Sequence, residues 1–296
     1  MKKNILVITG GAGFIGSNLI KKLLIFKNYK IISLDNYSSG SKHNHIKSNR
    51  VKYINANTID IEKVLLRYRN RILTIFHFGE FARIFQSFKK FDECFLSNIV
   101  GSNAIFKFAL KNKIKLIYSA TSASLGNNGN DKNLSPYALN KSQNLELLQN
   151  LKEWFGFSYE VIYFYNVYGP NQISTGDMAT VIGIFEEQIK KRKKLTVVKP
   201  GTQKRRFTHI DDTISVCIEA WKKNKNRHYS ISSKNSYSII DVAKMFGGKV
   251  KYLTKRKGER YNSSLTNNNL SNKIYKRFGK IKLRNYINNF LKNIEQ

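Results

Sequence analysis

Residues 4–16 read Asn4-Ile-Leu-Val-Ile-Thr-Gly-Gly-Ala-Gly-Phe-Ile-Gly16, and they constrain the fold more than any other stretch of the chain. The apolar run Ile5 to Ile8 predicts a strand. A glycine turn follows, and then a helix with Leu19, Ile20, Leu23 and Leu24 on one side. That order predicts a strand–turn–helix unit whose helix begins without side chains. Bare backbone N–H groups and the positive end of the helix dipole favour a pyrophosphate at such a terminus. Gly11, Gly13 and Gly16 fit the G-x-G-x-x-G spacing, and Gly10, Gly13 and Gly16 fit a three-residue spacing. A second predicted strand, Lys30 to Leu34, runs into Asp35, 19 positions after Gly16. A carboxylate there suits the ribose 2′-OH of NAD and repels the 2′-phosphate of NADP. The expected cofactor is therefore NAD.

Strand and helix patterns alternate from residue 4 to about 165. Strands are predicted at 4–9, 30–35, 51–54, 73–78, 114–119 and 159–165, and helices at 16–27, 59–69, 87–111 and 137–155. Alternation of this kind implies an α/β fold, a Rossmann-type doubly wound parallel sheet covered on both faces. Ligands of such sheets lie outside the carboxyl ends of the strands, where the strand order reverses. After Gly169-Pro170 the pattern changes to loops and shorter helices, near 179–192, 211–223, 238–247 and 283–294. The expected organisation is a dinucleotide-binding domain at 1–168, with 205–228 returning to it. A smaller C-terminal substrate-binding domain is expected from 169–204 and 229–296.

With 296 residues, 41% of them hydrophobic, the chain has ample material for a core. No run approaches the roughly 18 apolar residues of a membrane span. Lys2 and Lys3 precede an apolar stretch, but the glycine motif occupies that stretch and a small-residue cleavage site is lacking. A cytoplasmic location is expected. Two cysteines, Cys94 and Cys217, suggest neither a disulfide framework nor a metal site. The net charge of +33 is spread along the chain as single and paired lysines, without aromatic interleaving, so no specific nucleic-acid partner is expected. A positive field would still draw in a diphosphate.

Tyr137 and Lys141 stand one helical turn apart, and of 16 tyrosines this is the only one with lysine four residues on. The pair opens a predicted helix after a strand and a hydroxyl-rich loop, Ser119-Ala-Thr-Ser-Ala-Ser124. A phenol ordinarily gives up its proton near pH 10. A neighbouring ammonium and a cationic nicotinamide favour the phenolate, and bringing the transition to about pH 7 needs roughly 4 kcal/mol. A loop hydroxyl can share the substrate proton. That trio suits removal of a proton from an alcohol while hydride leaves its carbon.

These motifs resemble the extended short-chain dehydrogenase/reductases, in particular the nucleotide-sugar epimerases and dehydratases. The likeness is greatest to UDP-glucose 4-epimerases and covers nearly the whole chain. The matching pieces are Thr9 to Gly16, Leu34-Asp-Asn36, His77-Phe78 with Ser87 and Asn98, and Tyr137-x-x-x-Lys141. Asn166-Val-Tyr-Gly-Pro170, Arg205-x-Phe207, Asp211-Asp212 and Arg256-Lys-Gly-Glu259 follow. The resemblance implies that Phe14 and Ile15 line the pyrophosphate turn with Gly10, Gly13 and Gly16. It puts Asp35 and Asn36 on the adenosine ribose and Asn57 and Thr58 near adenine. Phe78 and Gly79 would lie under the cofactor, with Asn98 bracing the strand ends. It casts Tyr137 as base, Lys141 as its partner and Thr121 as the catalytic hydroxyl, with Ser122 the alternative if the register slips by one. Asn166 would touch the sugar nucleotide, and Arg205 and Arg256 would clamp its diphosphate. Ser263 would occupy a gate position, small enough to admit an N-acetyl arm. Pairing of two long helices, 87–111 and 137–155, would make a homodimer.

Departures from the family pattern are Tyr163, Leu125, Arg206, Asn57 and Glu80. Glu80 stands where alanine or glycine is usual, with Arg83 three residues on. Two readings stay open for them: an ion pair with each other, or contact with substrate. His77 reads better as a satisfied core histidine than as a catalytic group. Thr121 is followed by Ser122 and Ala123, where related 4,6-dehydratases carry Asp-Glu and decarboxylases a Glu. The expected reaction is therefore 4-epimerisation of a UDP-hexose, UDP-glucose or UDP-N-acetylglucosamine, through a 4-keto intermediate. The alternatives are a dehydratase or decarboxylase of the same family, or a non-catalytic dinucleotide- or nucleic-acid-binding protein.

Overall fold

The computed structural model describes residues 3–258 and 279–295. Every residue of β1 (Ile5–Thr9) is buried, which only a central strand covered on both faces can achieve. From β1 the chain enters α1 (Phe14–Leu23), β2 (Lys30–Asp35), β3 (Val51–Asn55), α2 (Ile61–Leu65) and β4 (Ile72–His77). Next come α3 (Ile84–Lys89), α4 (Phe91–Phe95), α5 (Ser102–Lys111), β5 (Lys115–Thr121), α6 (Pro136–Phe155) and β6 (Tyr159–Phe164). The remainder comprises β7 (Val167–Tyr168), α7 (Val181–Lys190), β8 (Leu195–Val198), β9 (Lys204–Arg206) and β10 (Thr208–His209). It ends with α8 (Ile210–Lys222), β11 (His228–Ser230), β12 (Ser236–Ser238), α9 (Ile239–Met245), β13 (Val250–Leu253) and α10 (Leu283–Glu295).

Seven strands form one parallel sheet in the order β11-β6-β5-β4-β1-β2-β3. The order reverses between β1 and β4, so the crevice for a ligand opens above Thr9 and His77, which are paired in register. Its core is aliphatic and aromatic, from Leu6, Ile8 and Leu19 to Phe76, Tyr118 and Tyr229. A second apolar cluster gathers Tyr168, Phe185, Val197, Phe207, Val242, Phe246 and Ile287, from β7, α7, β8, the β9–β10 link, the α9 region and α10.

Strand positions follow the sequence pattern within a residue or two. The helix expected at 87–111 is not continuous. It splits into α3, α4, a π-helical stretch Leu96–Gly101, and α5. The break falls at Lys90, whose backbone (φ −120°, ψ 53°) lies outside helical space. Apolar periodicity survives such a break, because each short piece still turns one face inward. The helix expected at 59–69 shrinks to α2 between two 3-10 turns.

Candidate active site

The glycine turn is shaped by backbone contact. A Cβ on Gly16 would lie 2.1 Å from the Gly10 carbonyl oxygen, and one on Gly79 would lie 2.8 Å from the Gly10 nitrogen. Only hydrogens fit there, so β1, α1 and the end of β4 close on one another. Gly13 caps α1 with no side chain, and the first turn of α1 carries no acidic residue. Asp35, at the end of β2, accepts from the Ala12 N–H at 2.9 Å and from the Tyr37 N–H at 2.8 Å. Asn36 donates to Asn57 Oδ1 at 2.8 Å, which draws Thr58 to the same rim. These residues, with Phe14, Ile15, Phe78 and Gly79, line one cavity of about 1140 Å³. That exceeds what one drug-sized ligand fills. A side-chain-free helix terminus beside a buried carboxylate fits the pyrophosphate and ribose of NAD.

The other wall of the cavity comes from β5 and α6. Thr121 ends β5. Ser135 caps α6 by accepting from the Ala138 N–H at 3.1 Å, and Pro136 opens the first turn. Tyr137 and Lys141 therefore follow one above the other on the cavity side, and Thr121, Tyr137 and Lys141 are all buried. The Tyr137 N–H donates to Ser87 Oγ at 3.3 Å, joining α6 to α3.

Beneath them lies a directed chain of hydrogen bonds. Thr9 Oγ1 accepts from the N–H groups of Phe78 and Gly79 (3.1 and 3.0 Å), so its own proton goes to His77 Nδ1 at 2.8 Å. The His77 proton then sits on Nε2 and faces Ser102 Oγ at 2.9 Å, and Ser102 donates to Glu80 Oε1 at 3.0 Å. Burial pushes His77 down to about 4, keeping it neutral. Tyr118 also donates to Glu80, at 3.1 Å. Lys141 Nζ bonds Glu80 Oε2 directly and the Ser119 carbonyl at 2.5 Å. With side chains 4% and 2% exposed, Lys141 and Glu80 form a buried ion pair. The Glu80–Arg83 pair left open by the sequence does not form. Arg83 reaches the carbonyls of Ala82 (2.9 Å) and Met178, and its buried Nε has no partner among the described residues.

Toward the C-terminal part, Asn166, Arg205 and Arg256 line the same cavity. Asn166 Nδ2 donates to the Arg206 carbonyl at 2.9 Å, Arg205 Nη1 donates to the Lys204 carbonyl at 2.9 Å, and exposed Arg256 stacks 5.3 Å over Phe85. Asn98, expected to brace the strand ends, does not line the cavity. Fully buried, it brackets the Phe81 backbone, accepting from N–H at 2.7 Å and donating to C=O at 2.9 Å, so it shapes the wall from behind. Ser263 lies outside the described residues. Sequence reasoning missed Ser102, Tyr118 and Asn144 around Glu80. One signal was available: Tyr137, Asn140, Lys141 and Asn144 make a buried polar stripe on α6, where a core-facing helix would carry apolar residues. Among the described residues no cluster of metal-ligating side chains occurs, and both cysteines are buried. No helix among them is long and apolar enough to cross a membrane.

Residues 6–232 match the family model described as the NAD dependent epimerase/dehydratase family. The ADP-L-glycero-D-manno-heptose-6-epimerase of Brachyspira hyodysenteriae is 30% identical over 258 residues, covering 81% of this chain and 79% of its own. A putative UDP-glucose 4-epimerase of Methanocaldococcus jannaschii is 28% identical, covering 86% and 88%. The solved UDP-N-acetylglucosamine 4-epimerase of Methanobrevibacter ruminantium, in complex with UDP-N-acetylmuramic acid, superposes with a TM-score of 0.84. It is 27% identical and covers 99% of this chain and 98% of its own.

Proposed function

The chain belongs to the NAD-dependent epimerase/dehydratase family, and from that premise we propose that it inverts C4 of a UDP-hexose, UDP-glucose or UDP-N-acetylglucosamine. NAD, the cofactor of the family, supplies the capacity to take up a hydride and return it. Tyr137 accepts the proton of the C4 hydroxyl, and Thr121 holds that hydroxyl in line. Asn166, Arg205 and Arg256 hold the nucleotide diphosphate, and guanidinium forks match its oxygens. The sugar stays tethered by its nucleotide while the 4-keto ring turns over and offers its opposite face.

One observation carries this reading over its relatives. The loop after Thr121 continues with Ser122 and Ala123, and the nearby carboxylate of Glu80 is bound to Lys141. Elimination of water needs a free acid and base, which that loop does not supply. We read 1–168 with 205–228 as the NAD-binding part, and 169–204 with 229–296 as the substrate-binding part. Exposed Phe91, Phe95 and Leu96, beside exposed Leu139 on α6, further suggest pairing with a second copy through α4 and α6. The decisive experiment incubates the holoenzyme with UDP-glucose and, separately, UDP-N-acetylglucosamine, and follows the C4 proton by NMR. Interconversion of gluco and galacto forms is expected. A 4-keto-6-deoxy product, or a pentose with CO₂, overturns the assignment.

A further inference from the structure

Glu80 and Arg83 lie three residues apart on the loop after β4, and the two departures rearrange the charges around Tyr137. Lys141 is usually expected to lend the phenol its positive charge. Here its Nζ is in contact with a carboxylate that its neighbours support by donating: Ser102 at 3.0 Å, Tyr118 at 3.1 Å, Ser119 and Asn144 at 3.4 Å, and Lys141 itself. A cation and an anion in contact act on a third group as a dipole, whose effect falls away much faster than that of a single charge. Lys141 thus faces Tyr137 largely neutralised.

Arg83 makes up the deficit. Its guanidinium lines the cavity and is oriented by the Ala82 and Met178 carbonyls, and Met178 packs against the cluster containing Tyr137, Phe81 and Ala138. Tyr137 is also tied to Ser87 on the helix that Arg83 opens. Two backbone carbonyls orient this guanidinium without cancelling its charge, and its buried Nε bonds no acceptor among the described residues. Burial lowers the Arg83 guanidinium from its ordinary range, and a negative charge on Tyr137 acts in the opposite direction. An arginine stays protonated under such pressure.

We propose that Arg83 supplies the positive charge that keeps Tyr137 reactive, and that Glu80 has withdrawn Lys141 from that task, leaving it to hold the cofactor. Arg83 acts through Tyr137 and is a positioning residue. The inference rests on the reading of Tyr137 as the base. Other cations line the same cavity: buried Arg205, and Arg256 and Lys257, which stack on Phe85 and Phe88 of α3 but are exposed, where solvent screens their charge. His77, Tyr118 and the Cys94 thiol (pushed up to about 11) are held neutral by burial. On the cavity rim Lys90 pairs with Glu93 at 3.2 Å, and Asp177 is exposed to solvent.

The test follows the acid limb of the kcat–pH profile and, independently of turnover, the tyrosinate absorbance of the holoenzyme, taken as the difference from Tyr137→Phe. Arg83→Gln should move both transitions alkaline by about one pH unit, a tenfold loss of activity on the acid side. Arg83→Lys should restore most of the shift. Glu80→Gln should move them acid, because Lys141 then acts with its full charge. The double variant Glu80→Gln/Lys141→Met replaces the ion pair by a neutral pair; read at saturating NAD, because Lys141 holds the cofactor, it should leave the tyrosinate transition at its wild-type pH. If Arg83→Gln does not fold, Arg83→Lys and the double variant decide. An unmoved transition in Arg83→Gln, or an alkaline shift in the double variant, returns the task to Lys141 and overturns the proposal. Full turnover by Tyr137→Phe would instead overturn the reading of the base itself, so the two failures are distinguishable.

Discussion

His77 shows how a single buried side chain couples this site to stability. Its ordinary value of 6.5 falls to about 4 in the fold, because burial disfavours the imidazolium. Below pH 6.5 the unfolded chain takes up a proton that the native chain refuses, so stability falls as pH falls, until about pH 4 where the native form is protonated too. The shift is worth about 3 kcal/mol across that window. Urea unfolding of His77→Asn should show a shallower loss of stability from pH 6.5 to 4 than wild type. Parallel slopes would mean that His77 is not neutral in the native state. Tyr137 belongs to the same scale. If it is the proton acceptor, Tyr137→Phe should lower kcat by about 10²- to 10⁴-fold while UDP-sugar binding, measured by calorimetry, changes little. The Tyr137–Lys141 pair was legible here from its one-turn spacing, and Thr121 from the resemblance to the family. The partner of Glu80 was not, because Lys141 lies 61 positions away and Arg83 only three.

At the scale of elements, the glycine turn and the polar stripe of α6 do opposite work. The turn brings backbones together. A methyl group on Gly16 would meet the Gly10 carbonyl and the Gly11 Cα (2.1 and 2.7 Å), atoms that no side-chain rotation can move. Gly16→Ala should therefore weaken NAD binding at least about tenfold by calorimetry and cost about 1–3 kcal/mol of stability. Unchanged affinity would show that α1 can retreat from β1 without harm. The stripe on α6 instead brings chemistry inward, with Ser135 and Pro136 fixing where its first turn begins. The split of α3, α4 and α5 was invisible to periodicity. Asn98 and Ser102 report why the region matters: one grips the Phe81 backbone and the other touches Glu80.

Across the whole molecule the dominant quantity is the net charge of +33. It should raise the encounter rate with a diphosphate and be screened by salt, because the Debye length shrinks to roughly 8 Å at physiological ionic strength. KM for a UDP-sugar should rise steeply between low and moderate salt while kcat holds. A salt-independent KM would limit the charge to solubility. A second expectation concerns assembly: Phe95→Glu with Leu96→Glu should convert a dimer to a monomer in light scattering, and an unchanged mass would sink pairing through α4 and α6. The sequence alone determined the parallel sheet and the NAD turn, and put Tyr137 and Lys141 on one face of a helix, because strand period, glycine spacing and one-turn spacing are local and repeat along the chain. Only the tertiary structure decided which charge meets which. An ion pair is chosen by distance in space, and burial leaves a carboxylate no alternative but the nearest cation. The loop after β4 delivers Glu80 to Lys141 and leaves Arg83 on the wall of the cavity that Tyr137 also lines.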